Sequence, residues 1–185
     1  MHRPRRILAA VLVASAVPAL VGCPQPLGEG WVYDLHHSDW GHFIKQTSDG
    51  GFLVSGMAVT TGVRNPQVLG VKLTPMMTVE WSRVFDGLWP LTPVIPSGVG
   101  TPLSGGGAVF AGLTEDSVGD DATKGRLRVV RVDGGGRVLW DNIYSPDQRW
   151  KPYQIIETEG GTIALAVEVN PGGAFVIDLD GEGTL

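Results

Sequence analysis

The chain predicts an all-β fold of repeated four-stranded antiparallel blades, β-propeller-like, with about three copies. Three observations predict it. A phrase of apolar runs and turns recurs: Phe52–Leu53–Val54–Ser55–Gly56 leading to VLGVKLTPMMTVEW, Ala108–Val109–Phe110–Ala111–Gly112 leading to LRVVRVDGGGRVLW, and Thr162–Ile163–Ala164–Leu165–Ala166 leading to AFVIDLDGEGTL. All six tryptophans fall into this frame: Trp31, Trp81 and Trp140 open equivalent segments, and Trp40, Trp89 and Trp150 follow them at separations of 9, 8 and 10 residues. Finally, 27 glycines and 13 prolines punctuate short runs of period-2 alternation, a pattern of strands and turns rather than of long helices.

The first element is an address. Met1–Arg6 is basic, and Ile7 to Gly22 is an apolar run of 16 residues interrupted by Pro18. A spanning helix needs about 20 apolar residues, so this run matches the hydrophobic region of a secretion signal. It ends in Leu20–Val21–Gly22–Cys23, which resembles the lipobox of bacterial lipoprotein signal peptides. That resemblance implies cleavage before Cys23, acylation of its thiol and of the new amino terminus, and attachment to the cell envelope through the lipid. Several acyl chains hold a membrane where one binds it only marginally. Pro24 is not the aspartate that in such proteins favours retention at the inner membrane, so the expected address is the outer membrane. Removing residues 1–22 takes three arginines and leaves 11 basic against 19 acidic residues, a net charge of −8. Such a surface offers no basic face for phosphates, so nucleic acid is not an expected partner. Cys23 is the only cysteine, which leaves no disulfide to hold the domain.

The organisation expected is therefore a signal peptide (1–22), a lipidated cysteine and tether (23–29), and a repeat domain (30–185) with repeats at about 30–87, 88–146 and 147–185. Four residues after each first tryptophan stands a bulky apolar side chain: Leu35, Phe85, Tyr144. Each unit continues with an apolar strand around Phe43–Ile44, Val94–Ile95 or Ile155–Ile156. A glycine turn follows at Asp49–Gly50–Gly51, Gly105–Gly106–Gly107 or Glu159–Gly160–Gly161, where glycine accepts positive φ without a Cβ clash. The next strand alternates, with Leu69, Val71 and Leu73 expected inward in the first copy and Phe175, Ile177 and Leu179 in the third, while Lys72 and Asp178 point to a solvated face. Asp133–Gly134 and Asp180–Gly181 then reverse the chain.

The sequences SDGGFLVSG, VLGVKLTP and VEWSRVFDG resemble lipoprotein β-propeller repeats of the form D-G-G-[FY]-[IL]-V-x-G, V-x-K-L-D, G-x-x-x-W, across nearly all of residues 30–185. Asp133–Gly136–Trp140 also resembles the tryptophan-docking repeats of quinoprotein dehydrogenases, with a spacing one residue short. The resemblance implies blades arranged radially. An N-terminal strand at Gly30–Leu35 completing the blade begun by the C-terminus would close a ring, for instance between two copies as a homo-oligomer; an open arc or a truncated frame is the alternative.

Candidate chemistry is sparse. His36, His37 and His42 lie beside Asp34 and Asp39, but without the spacing of a zinc site, and neighbours on a strand face opposite ways. Glu115–Asp121 carries four carboxylates without the regular spacing of a calcium loop. The glycine runs at 105–107 and 134–136 precede no helix that would cradle phosphate, and no serine sits in a nucleophile elbow. No cofactor and no metal are therefore expected. Trp31, Trp81 and Trp140 suit packing between blades. Trp40, Trp89 and Trp150 are the candidate ligand-binding residues, as a ring of aromatics able to stack on a sugar or peptide, with gap-filling between blades the plainer role. The function expected is a binding or scaffold module facing an envelope protein or glycan, not an enzyme; the alternative is a propeller-type hydrolase or lyase with a site near His36–His42.

Overall fold

A computed structural model describes residues 39–59, 67–89, 99–114, 126–144, 149–170 and 172–185. Among them there is no helix, and twelve strands form three antiparallel sheets in chain order. The fold is all-β and blade-like. The first sheet is the meander β1 (Asp39–Gln46), β2 (Phe52–Ala58), β3 (Gln67–Leu73) and β4 (Val79–Phe85). In the second, β7 (Ala108–Thr114) pairs with β8 (Leu127–Val132), and β8 with β9 (Val138–Tyr144). The other edge of β7 is shared end to end by β5 (Leu88–Trp89) and β6 (Val99–Pro102), so this sheet too is four strands wide. The third contains β10 (Arg149–Glu157), β11 (Ile163–Asn170) and β12 (Gly173–Leu179). The N-terminal strand expected at Gly30–Leu35 lies outside the described residues, as do Val94–Ile95; the inner strand found in the second copy is Val99–Pro102.

The sheets stack face to face. Leu53, Val68 and Phe85 of the first meet Ala108, Phe110, Val130 and Val132 of the second. Val109, Ala111, Leu127, Val129 and Tyr144, on the second sheet's opposite face, meet Ile155, Ile163, Leu165, Val167, Val169 and Leu179 of the third. The central strand β7 is therefore buried on both faces, which explains why it reads as a continuous apolar run rather than an alternating one. Phe110 is the pivot of the first contact. It lies 4.6 Å from Phe85 between ring centroids and edge-on to Trp81, and it fills the space left by Gly70 and Gly100, where a Cβ would come within 2.5 and 2.8 Å of its ring.

The tryptophans of the fourth strands fasten each sheet to the next. Trp81 Nε1 donates to the Gly134 carbonyl at 2.9 Å, and Trp140 Nε1 donates to the Gly181 carbonyl at 3.0 Å. Each indole lies over the glycine two residues further on. A Cβ on Gly136 would stand 2.8 Å from Trp81, and one on Gly183 would stand 3.1 Å from Trp140. Both tryptophans follow a one-residue bulge against the strand before them, which aims the ring at the neighbouring sheet. The receiving turns share one design: Asp133 Oδ1 accepts from the amides of Gly135 and Arg137, and Asp180 Oδ1 from those of Glu182 and Thr184. In the first sheet Thr74 Oγ1 does the same for Met76 and Thr78.

Three expectations need correction. Lys72 does not face solvent: it is buried, with its ammonium 2.9 Å from both Asp49 and Glu80 and 3.0 Å from the Leu73 carbonyl. Asp178 is exposed as expected, and Leu69, Val71, Leu73 and Leu179 are buried, but Phe175 is half exposed at the strand's far end. The third copy is also registered one residue later than its sequence suggests. Phe52 pairs with Leu73 and Ala108 with Val132, and the residue that pairs with Leu179 is Ile163 rather than Thr162.

Candidate functional site: the converging inner strands

β1, β6 and β10 are the inner strands, each the free edge of its sheet nearest the other two. Their convergence is visible in single side chains. Phe43 of β1 packs on the core between the second and third sheets, and Lys45 of β1 reaches both β6 and β10. Such an axis is where radial sheet folds bring loops and polar groups together.

At one end stand the candidate tryptophans. Trp40 pairs with Met57, and its side chain is 45% exposed. Trp89 takes the same place in the second sheet, pairing with Leu113; its side chain lies outside the described residues. Trp150 pairs with Val169, whose counterpart in the first sheet is Ala58, the residue opposite Asp39. It is thus displaced by one residue from Trp40 and turned to the other face of its sheet. There it packs on the core between the second and third sheets, with its Nε1 buried and without an acceptor among the described residues. Trp40 and Trp150 do not join in one exposed ring: Trp150 is a packing residue and Trp40 is the exposed one. Lys151, the residue that does match Trp40, lies 4.8 Å over the Tyr153 ring, and Tyr153 in turn bonds Glu168.

His42 is the extra residue of the bulge between Gly41 and Phe43, and Tyr153 is its counterpart in β10. Among the described residues the buried His42 Nε2 has no hydrogen-bond partner, and burial holds the imidazole below its ordinary pKa. His36, His37 and Asp34 lie outside the described residues, as do Cys23 and the acidic segment Glu115–Asp121. Among the described residues no three histidines, cysteines or carboxylates group as a metal would require.

At the other end, where the turns Thr47–Gly51, Leu103–Gly107 and Thr158–Thr162 follow the inner strands, a polar cluster joins all three sheets. Lys45 Nζ donates to Thr101 Oγ1 at 3.1 Å and to the Ile155 carbonyl at 3.2 Å. Glu157 accepts from the amide of Ser104 at 2.6 Å and from its hydroxyl at 3.0 Å. Burial holds the Lys45 ammonium below its ordinary pKa. The sequence did not single out this cluster. Lys45 sits in an alternating strand like any solvent-facing lysine, and Thr101 and Ile155 are 56 and 110 residues away. Only the shared position two or three residues before each glycine turn links them.

No protein-family model matches the chain, and no curated protein matches it.

Proposed function

We propose that the chain is a lipid-anchored envelope protein that works as a binding or scaffold module, with residues 30–185 as its propeller-like repeat domain and an envelope protein or glycan as its partner. The anchor reading rests on residues 1–23: the basic start, the short apolar run and the lipobox-like Leu20–Val21–Gly22–Cys23. The binding reading is carried by one observation, Trp40, a tryptophan 45% exposed at the end of the innermost strand while Trp81, Trp140 and Trp150 are engaged between sheets. An indole left open on a rigid strand offers a flat apolar face with a polar edge, suited to stacking on a sugar ring or a peptide side chain.

The experiment separates the two halves of the proposal. Incorporation of labelled palmitate at Cys23, abolished by Cys23→Ser together with recovery of the protein in the soluble fraction, is the outcome expected for the anchor. For the binding face, sedimentation with isolated cell-wall glycan and a peptide array are expected to register a partner that Trp40→Ala loses by about tenfold, within the range of a single aromatic contact. Equal binding by Trp40→Ala would remove Trp40 from the role.

A further inference from the structure

We propose that Lys45 and Thr101 form a two-donor site for a carboxylate, at the end of the inner strands that carries the glycine turns. The argument is one of unused donors. An ammonium has three N–H groups; Lys45 directs two at Thr101 Oγ1 and the Ile155 carbonyl, both neutral, and no carboxylate among the described residues pairs with it. Thr101 is 4% exposed, and its hydroxyl accepts from Lys45 while its own O–H has no acceptor among the described residues. Two unsatisfied donors thus stand 3.1 Å apart, one of them on a cation. A half-buried ammonium without a counter-ion is costly, and protein interiors ordinarily pair such charges. The buried ammonium of Lys72 does so, with two carboxylates.

The donor pair is also held in place before any ligand arrives. Lys45 is tied to β6 and β10, and Thr101 lies in a strand paired to β7, next to Gly100, whose backbone approaches Phe110 and Ser55 too closely for a side chain. Binding therefore spends little on ordering side chains. A singly charged carboxylate suits the site better than a phosphate dianion, because Glu157, two residues beyond Ile155 on β10, brings a negative charge to the same rim. One carboxylate oxygen would take the third N–H of Lys45 and the O–H of Thr101, and the remainder of the ligand would leave along the axis. The site stands apart from Trp40, five residues away on β1, and does not rest on the anchored-scaffold reading.

The test uses the full chain in detergent, with ¹³C-labelled lysine, titrated with acetate and, separately, with inorganic phosphate up to about 100 mM, where even a millimolar contact saturates. Saturable movement of the Lys45 Cε resonance with acetate, and an upward shift of its titration midpoint towards the ordinary lysine value, is expected. Thr101→Val should weaken acetate binding by about tenfold, the range of one hydrogen bond to a charged group, and Thr101→Ser should restore it. An unchanged amide spectrum in the Thr101 variants keeps the result interpretable even where Lys45→Gln fails to fold. No saturable shift with acetate overturns the proposal. Equal binding by Thr101→Val overturns the two-donor geometry, and tighter binding of phosphate than of acetate overturns the carboxylate assignment.

Discussion

Lys72 shows what a single residue can hide from a sequence pattern. Its place in an alternating strand marks it as outward, yet the neighbouring sheet covers that face, and the charge survives there because Asp49 and Glu80 arrive with it. Burial alone would lower its pKa, and the hydrogen bonds that its ammonium donates to the two carboxylates outweigh that and raise it. Asp49 is the more telling partner. Hydrogen bonds from Thr47, from Lys72 and from the Gly51 amide hold its carboxyl far below the ordinary value of 3.8, although the group itself is exposed. A carboxyl depressed on folding contributes stability that is complete above its unfolded pKa and is lost as pH falls through the folded one. The melting temperature of the protein should therefore begin to drop below about pH 4, the unfolded aspartate range, and Asp49→Asn should flatten that slope while leaving the curve above pH 5 parallel to wild type. Thermal melts by circular dichroism between pH 2 and 7 check it; an equally steep acid limb in Asp49→Asn would show that the slope belongs to other groups.

At the scale of the element, the fastening of one sheet to the next resides in turns, and the glycines there do different work. Gly161 and Gly183 share nearly the same backbone, with φ of 80° and 78°. A Cβ on Gly161 would meet nothing within 4 Å, whereas one on Gly183 would meet Asn142 Nδ2 at 2.6 Å, Tyr144 OH at 3.0 Å and Trp140 at 3.1 Å. Gly161→Ala should then cost about 1 kcal/mol, the left-handed backbone alone. Gly183→Ala adds overpacking and should cost about 2 to 4 kcal/mol in total. Urea melts of the two variants provide the comparison, and equal costs would mean that the Trp140 seat does not hold the third sheet. These turns were largely legible: Asp133–Gly134 and Asp180–Gly181 reverse the chain as their residues predict, and Trp81 and Trp140 lie between sheets. The partner of each indole was not legible, because a glycine carbonyl 53 or 41 residues downstream carries no side-chain mark. Nor was the register of the third copy, where Thr162 and Ile163 are both acceptable strand residues and only pairing with Leu179 distinguishes them. The same one-residue ambiguity made Trp150 look equivalent to Trp40.

At the scale of the whole molecule the question is whether the stack of sheets closes. A closing tryptophan strand would have to dock on the turn of the first sheet as Trp81 docks on Gly134–Gly136 and Trp140 on Gly181–Gly183. That turn is Thr74–Thr78, and the residue matching Gly136 and Gly183 is Met77, at φ 61°. A non-glycine residue held in the left-handed region costs about 1 to 2 kcal/mol, so packing must hold it there. Met77 lies against the apolar face of Leu69, Val71 and Leu73, together with Phe52, Val54 and Val79. A Cβ stands at this position, whereas at Gly136 and Gly183 a Cβ would clash with the docked indole, so the first sheet carries a side chain where the second and third leave room for a ring. This favours an open arc over a ring closed by a further tryptophan lock, whether within a chain or between two copies. The chain carrying Cys23→Ser, kept in detergent and followed by light scattering corrected for the micelle, should keep the mass of a single copy across a hundredfold dilution. Met77→Gly should be the variant that gains any association, since it alone empties the seat. A wild-type dimer that persists on dilution, and that Met77→Gly leaves unchanged, would mean that copies meet through a surface other than this one.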